Sequence, residues 1–223
     1  MKKILLAATF FLCVNSTFAS ETAILKIKGT LTSSACTPEF SNGGVVDYGN
    51  IRLGELSSTT VNQLGQRNID LTITCTAATK VAWNMIDDRA DSNAGLTVSA
   101  GTFTGGAQSA TNQTYGVGKA GTVNIGSYAM FMKVNSITAD GKSVDPIYQQ
   151  NGSSTWAKST DGSSQGENNR NITVALSGTV DPLAFQTATF PLVTSLAIQN
   201  TATLAITDDT RLDGQLTISL KYL

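Results

Sequence analysis

The chain has 223 residues, 41% hydrophobic and only 14% charged, with a formal net charge of −1 and no histidine. That apolar content excludes a disordered chain, and the absence of any basic tract leaves no electrostatic footprint for nucleic acid. The missing histidine excludes Ser-His-Asp and Cys-His catalysis, histidine-ligated zinc and imidazole pH switches, so an enzyme is not expected. Polarity comes instead from 52 Ser and Thr, and threonine suits the pleated, half-buried surface of a strand.

In chain order, Met1-Lys2-Lys3 is a positive n-region, Ile4 to Val14 an apolar run, and Thr17-Phe18-Ala19 supplies the small residues of a cleavage site. Residues 1–19 read as a signal peptide cut after Ala19, because the apolar run falls short of the roughly 20 residues needed to span a bilayer. No later segment is long and apolar enough to span, so the mature product is expected to be exported, to the periplasm or cell surface, and not to be an integral membrane protein. Loss of Lys2 and Lys3 takes the net charge from −1 to −3, and loss of Cys13 leaves Cys36 and Cys75. Two cysteines in an exported chain read as one disulfide, worth about 4 kcal/mol for a loop of this length in the chain-entropy description. Two thiols without histidine, and without C-x-x-C spacing, make a poor metal site or redox pair.

Residues 20–223 read as one domain, with no linker and no internal repeat. Period-two alternation recurs throughout and helical periodicity does not. Ala23, Leu25, Ile27, Gly29 and Leu31 alternate with mostly polar residues. The segment 45–51 follows an Asn42-Gly43-Gly44 turn and reads as a strand. Ile69, Leu71, Ile73 and Cys75 share one face of the next, and Val81, Trp83 and Met85 one face of the one after. Leu96 to Val98 is a short strand candidate, and 101–122 is rich in Gly, Ser, Thr, Asn and Gln. Tyr128 to Val134 is a strand, and Ala139-Asp140-Gly141-Lys142 is a hairpin turn. Residues 151–170 read as a long polar loop carrying Trp156. Strands resume at Ile172 to Leu176, Thr189 to Leu192 and Ser195 to Ile206. In the last segment Leu212, Gly214, Leu216, Ile218, Leu220 and Tyr222 all fall on one face, with Lys221 opposite. The expected fold is therefore all-β, a sandwich of about ten short strands.

Chemistry-bearing motifs are sparse. Asp87-Asp88 and Asp208-Asp209 read as solvated caps of turns, since neighbours on a strand point to opposite faces and neither pair has the spacing of a calcium loop. Trp83 reads as core, and Trp156 either as an exposed anchor for a partner or as a pin for its own loop. The two alternating ends offer what strand addition needs, since main-chain hydrogen bonds supply affinity and alternate side chains fill successive pockets. Ordinary edge strands would carry the same pattern. No cofactor and no metal ligand set is expected.

The stretch Ile27-Lys28-Gly29-Thr30-Leu31-Thr32-Ser33-Ser34-Ala35-Cys36 resembles the start of chaperone–usher pilins. Val46-Asp47-Tyr48-Gly49, Leu71-Thr72-Ile73-Thr74-Cys75 and Tyr222 are similar to the segment after the first pilin cysteine, the strand of the second, and the penultimate pilin tyrosine. More closely, residues 23–223 resemble the fimbrial-like exported proteins of the GltF group. The carrying segments are Cys36-Thr37-Pro38, Ser41 to Gly49, Gly126-Ser127-Tyr128-Ala129 and Leu204 to Thr210. The resemblance implies an immunoglobulin-like, pilin-like β-sandwich that lacks its final strand. Ala23, Leu25, Ile27 and Gly29 would form a donor strand. Gly214, Leu216, Ile218, Leu220 and Tyr222 would form the strand held by a periplasmic chaperone. Its partners would be that chaperone, an outer-membrane usher and like subunits of a fimbrium, in adhesion-associated assembly. The alternative is a self-complete periplasmic binding module using loops 100–125 and 151–170, completed by a strand within 87–170.

Overall fold

The structure, a computed structural model, describes residues 25–29, 35–206 and 208–223. The chain divides into two units, Met1–Ser33 and Ser34–Leu223. The expected signal peptide and Ala23 lie outside the described residues. Within 25–29 no regular element is assigned, and Leu25 and Ile27 are exposed.

The second unit is almost entirely β. Its strands are β1 (Cys36–Phe40), β2 (Asn62–Thr79), β3 (Val81–Asp87), β4 (Tyr115–Gly116), β5 (Lys119–Ala120), β6 (Val123–Asn124) and β7 (Gly126–Met132). They continue as β8 (Thr138–Ala139), β9 (Lys142–Ser143), β10 (Asp145–Gln150), β11 (Ala157–Lys158), β12 (Arg170–Ala175), β13 (Phe185–Ile198) and β14 (Leu216–Tyr222). One short helix, α1 (Thr201–Leu204), follows β13. The larger sheet runs β1-β2-β13-β7-β4, with the β8–β9 hairpin attached to β13, and the smaller runs β11-β10-β12-β3-β14. Strand-to-strand pairing is antiparallel throughout.

Alternation explains the shared core. Ile69, Leu71 and Ile73 of β2 and Phe190 and Leu192 of β13 meet Trp83 and Met85 of β3 and Ile172 and Val174 of β12 in one buried cluster. Trp83 meets Phe190 edge-on, ring centroids 5.8 Å apart, the geometry the ring quadrupoles favour. Cys36 and Cys75 face one another across the β1–β2 register and are disulfide-bonded. A second cluster, around Val117, Ile125, Leu196 and Ile198, is flanked by Tyr48, Ile51, Leu56 and Leu64. The hairpin turn expected at 139–142 is present. Asp140 and Gly141 both have positive φ, 48° and 74°, the pair a two-residue turn between twisted strands requires.

Four expectations change. Residues 45–51 form no strand; Val46 packs on the main core and Tyr48 on the second cluster, so the segment is held by side chains rather than by a ladder. The strands expected at 189–192 and 195–206 are one continuous β13, ended where the Asn200 side chain accepts the Thr203 N–H and caps α1. Leu96 to Val98 makes only an isolated bridge, Val98 to Gln108. The polar stretches are not free loops. Segment 93–110 crosses the outer face of the larger sheet, where Gln63 bonds the Thr97 carbonyl and the Ser99 N–H, and Ser195 Oγ donates to the Ala100 carbonyl. Residues 162–166 are buried, and Arg170 lies 4.0 Å over the Tyr148 ring while donating to the Ser163 carbonyl.

Candidate strand-acceptor edge

β14 owes its position to a set of polar pins at its start. Asp88 N–H donates to the Gln215 carbonyl, Thr217 Oγ1 to Asp88 Oδ2 at 2.7 Å, and Arg89 pairs with Asp213 at 2.9 Å. Beneath them Asp87, expected to be solvated, is only 7% exposed. Its carboxylate accepts the N–H groups of Arg89 at 2.9 Å and Gly116 at 2.8 Å. Burial pushes its pKa up, and these two hydrogen bonds only partly offset that. A side chain at position 116 would overlap the Arg89 carbonyl, so only glycine lets β4 approach this turn. Asp208 and Asp209 are exposed, as expected.

From those pins β14 runs antiparallel to β3, Leu216 opposite Asp87 and Tyr222 opposite Val81. Leu223 N–H extends the ladder to the Lys80 carbonyl. Among the described residues no strand pairs with its other edge. Leu216, Ile218 and Leu220 pack on the main core yet are only half-buried. Gly214, expected on the same face, lies outside the strand and is exposed.

The larger sheet ends on the same side in β1. Cys36 and Phe40 of β1 are likewise half-buried against the core. The two edges meet at one point, where the Cys36 N–H donates to Tyr222 Oη at 2.8 Å. Tyr222 itself is 51% exposed. The arrangement is an apolar margin between two sheet edges, tied at its disulfide end and lined by alternate side chains. Phe40 was not singled out by sequence reading. Its signal was the β1 alternation of Cys36, Pro38 and Phe40, too short to stand out.

The described residues offer little else for chemistry. Among the described residues no group of three or more His, Cys, Asp or Glu is placed to hold a metal ion. No described helix is long and apolar enough to cross a membrane. A cavity of about 320 Å³ is lined by Tyr48, Ile51, Arg52, Glu55, Leu56 and Leu64 among others. The amides on its rim are committed: Asn62 bonds the backbone of Ser57 and Gln199, and Gln63 that of Thr97 and Ser99. Arg52 is paired with Glu55. Trp156 is half-buried rather than a free anchor.

Residues 25–129 match a family described as a protein of unknown function (DUF1120). The chain is 33% identical to the uncharacterized protein YhcF of Escherichia coli (strain K12), over 99% of this chain and 98% of the relative. It is 31% identical to protein GltF of the same organism, over 89% of this chain and 87% of the relative. Identity above 30% over most of the length of both relatives makes this chain a member of the GltF-like family, with the DUF1120 match over residues 25–129.

Proposed function

We propose that the protein is a non-enzymatic, pilin-like structural or adhesion-associated subunit, exported to the periplasm or cell surface, that assembles by β-strand complementation. On this reading the two sheets are an immunoglobulin-like sandwich short of one strand. A periplasmic chaperone, and later the N-terminal arm of a like subunit at an outer-membrane usher, would fill the margin beside β14. The observation that carries it is β14 itself, an edge strand whose Leu216, Ile218 and Leu220 are only half covered. Unpaired strand edges bind other chains, so an uncovered apolar edge needs an occupant. The arm has the matching pattern, Ala23, Leu25, Ile27 and Gly29 at every second position. Beyond Asp87, which ends β3, the region up to residue 170, the other source of a completing strand, pairs with β12, β13 and itself among the described residues, and not with β1 or the outer edge of β14.

The arm supplies the test. Ile27→Asp places a charge where an apolar side chain would enter the margin, at a position outside the second unit. In sedimentation of the mature chain it is expected to abolish concentration-dependent self-association while leaving the melting temperature unchanged. An Ile27→Asp variant that associates like the parent would refute donation by the arm.

A further inference from the structure

The larger sheet has a second unpaired edge, and it is treated differently. β2 pairs with β13 along its length, but β1 covers only Leu71–Cys75 on the other side. The stretch before Leu71 therefore has one free flank. Asp70 N–H points to that flank, since Ser41 Oγ accepts it at 2.9 Å. Antiparallel alternation directs the backbone groups of Asn68 and Gln66 the same way. All three residues are exposed, so this is a template for strand addition.

Side chains close it. Arg67 Nη1 turns back onto the Gln66 carbonyl at 2.9 Å, and its Nε donates to the Asp47 carbonyl at 3.3 Å. The guanidinium lies 5.0 Å over the Tyr48 ring, whose hydroxyl is within 3.0 Å of Thr194 Oγ1 on β13. One cation thus caps an outward carbonyl and clamps segment 45–49 beside the strand. Two carbonyls and an aromatic face match the forked, planar donor set of arginine, which lysine lacks.

We propose that the outer flank of β2 over residues 66–70 is a latent dimer edge, and that Arg67 holds it shut against the same edge of a second copy. The partner is another copy because the free stretch is short. β1 blocks it after Asp70, and a bulge marked by Gly65, φ 75°, breaks it before Gln66. A longer strand would collide with β1, whereas two like stretches fit about a two-fold axis at Asn68, Gln66 opposite Asp70 of the other copy. The inference is independent of the arm and of β14.

The experiment compares sizes of the mature chain by sedimentation across a concentration series. In an Ile27→Asp background, which removes association through the arm, Arg67→Ala is expected to add a dimer that Ile27→Asp alone lacks. Adding Asn68→Pro should remove that dimer, because proline there deletes an outward N–H and leaves the β13 ladder intact. If Arg67→Ala does not fold, Arg67→Met keeps the aliphatic packing and is read the same way. A size distribution identical to that of Ile27→Asp alone overturns the proposal, as does a dimer that survives Asn68→Pro.

Discussion

Ile218→Asp is expected to abolish accumulation of the folded protein, whereas Ile218→Leu accumulates as the parent does. Ile218 lies opposite Met85 in the β14–β3 register and packs on the main core. Full burial of such a side chain contributes roughly 1.5–3 kcal/mol, and the half-buried Ile218 about half of that. A carboxylate in its place forfeits that and adds the desolvation of a charge held against the core. The combined loss, about 2 kcal/mol or more, is a large share of the roughly 5–15 kcal/mol that stabilises a domain. Soluble yield and the urea midpoint check it. An aspartate variant with the parent's midpoint would mean that β14 does not face inward.

Trp83→Ala should cost more still, about 3–5 kcal/mol by the usual range for buried aromatics. The indole is fully buried and spans the two sheets through Phe190. Its cross-strand neighbours are Leu220 on β14 and Ile172 on β12. Loss of the ring would therefore leave a cavity under β14 as well as in the core. Trp83→Phe separates shape from polarity. Indole Nε1 is buried with no hydrogen-bond partner among the described residues, so phenylalanine loses volume but also removes an unsatisfied donor. Its cost should be well under half that of alanine in denaturant unfolding. Equal costs for the two variants would contradict an edge-on packing role for the ring.

What could be read from sequence was whatever period-two alternation carries. Ile69 to Cys75, Val81 to Met85 and Leu216 to Leu220 alternate because one face of each is covered, and all turn the expected face to the core. The disulfide was legible because only two cysteines remain once Cys13 is set aside. Features held by polar contacts were not. The first half of β2, Asn62 to Asn68, has no apolar pattern, because its ladder with β13 and its glutamine contacts to segment 93–110 hold it. The segment 45–51 has strand composition, yet Ser41 and Arg67 occupy the edge it would have paired with. Residues 162–170 look like solvent-exposed loop, but Ser164 bonds Tyr115 Oη and the Met130 carbonyl, and Arg170 Nη1 bonds the carbonyl and hydroxyl of Ser163, so polarity does not keep them outside. Asp87 belongs with these: its carboxylate is held by the backbone N–H groups of Arg89 and of Gly116, the latter 29 residues away, and no hydropathy pattern records either bond.

The free flank of β2 and the outer edge of β14 separate into a guarded one and an open one. Arg67 and Ser41 cap β2, while β14 presents half-covered apolar side chains with only the Tyr222–Cys36 tie at one end. That asymmetry is what strand complementation requires, an acceptor at one site and protection at the other. The most direct measurement is site-specific disulfide trapping between copies. Mature protein carrying Ile27→Cys would be mixed with protein carrying Leu216→Cys, Ile218→Cys or Leu220→Cys, with Ser219→Cys, on the opposite face, as control. Complementation predicts an intermolecular bond from position 27 to one of the three inward positions, and none to 219. No intermolecular bond at any inward position, or equal trapping at 219, would contradict it.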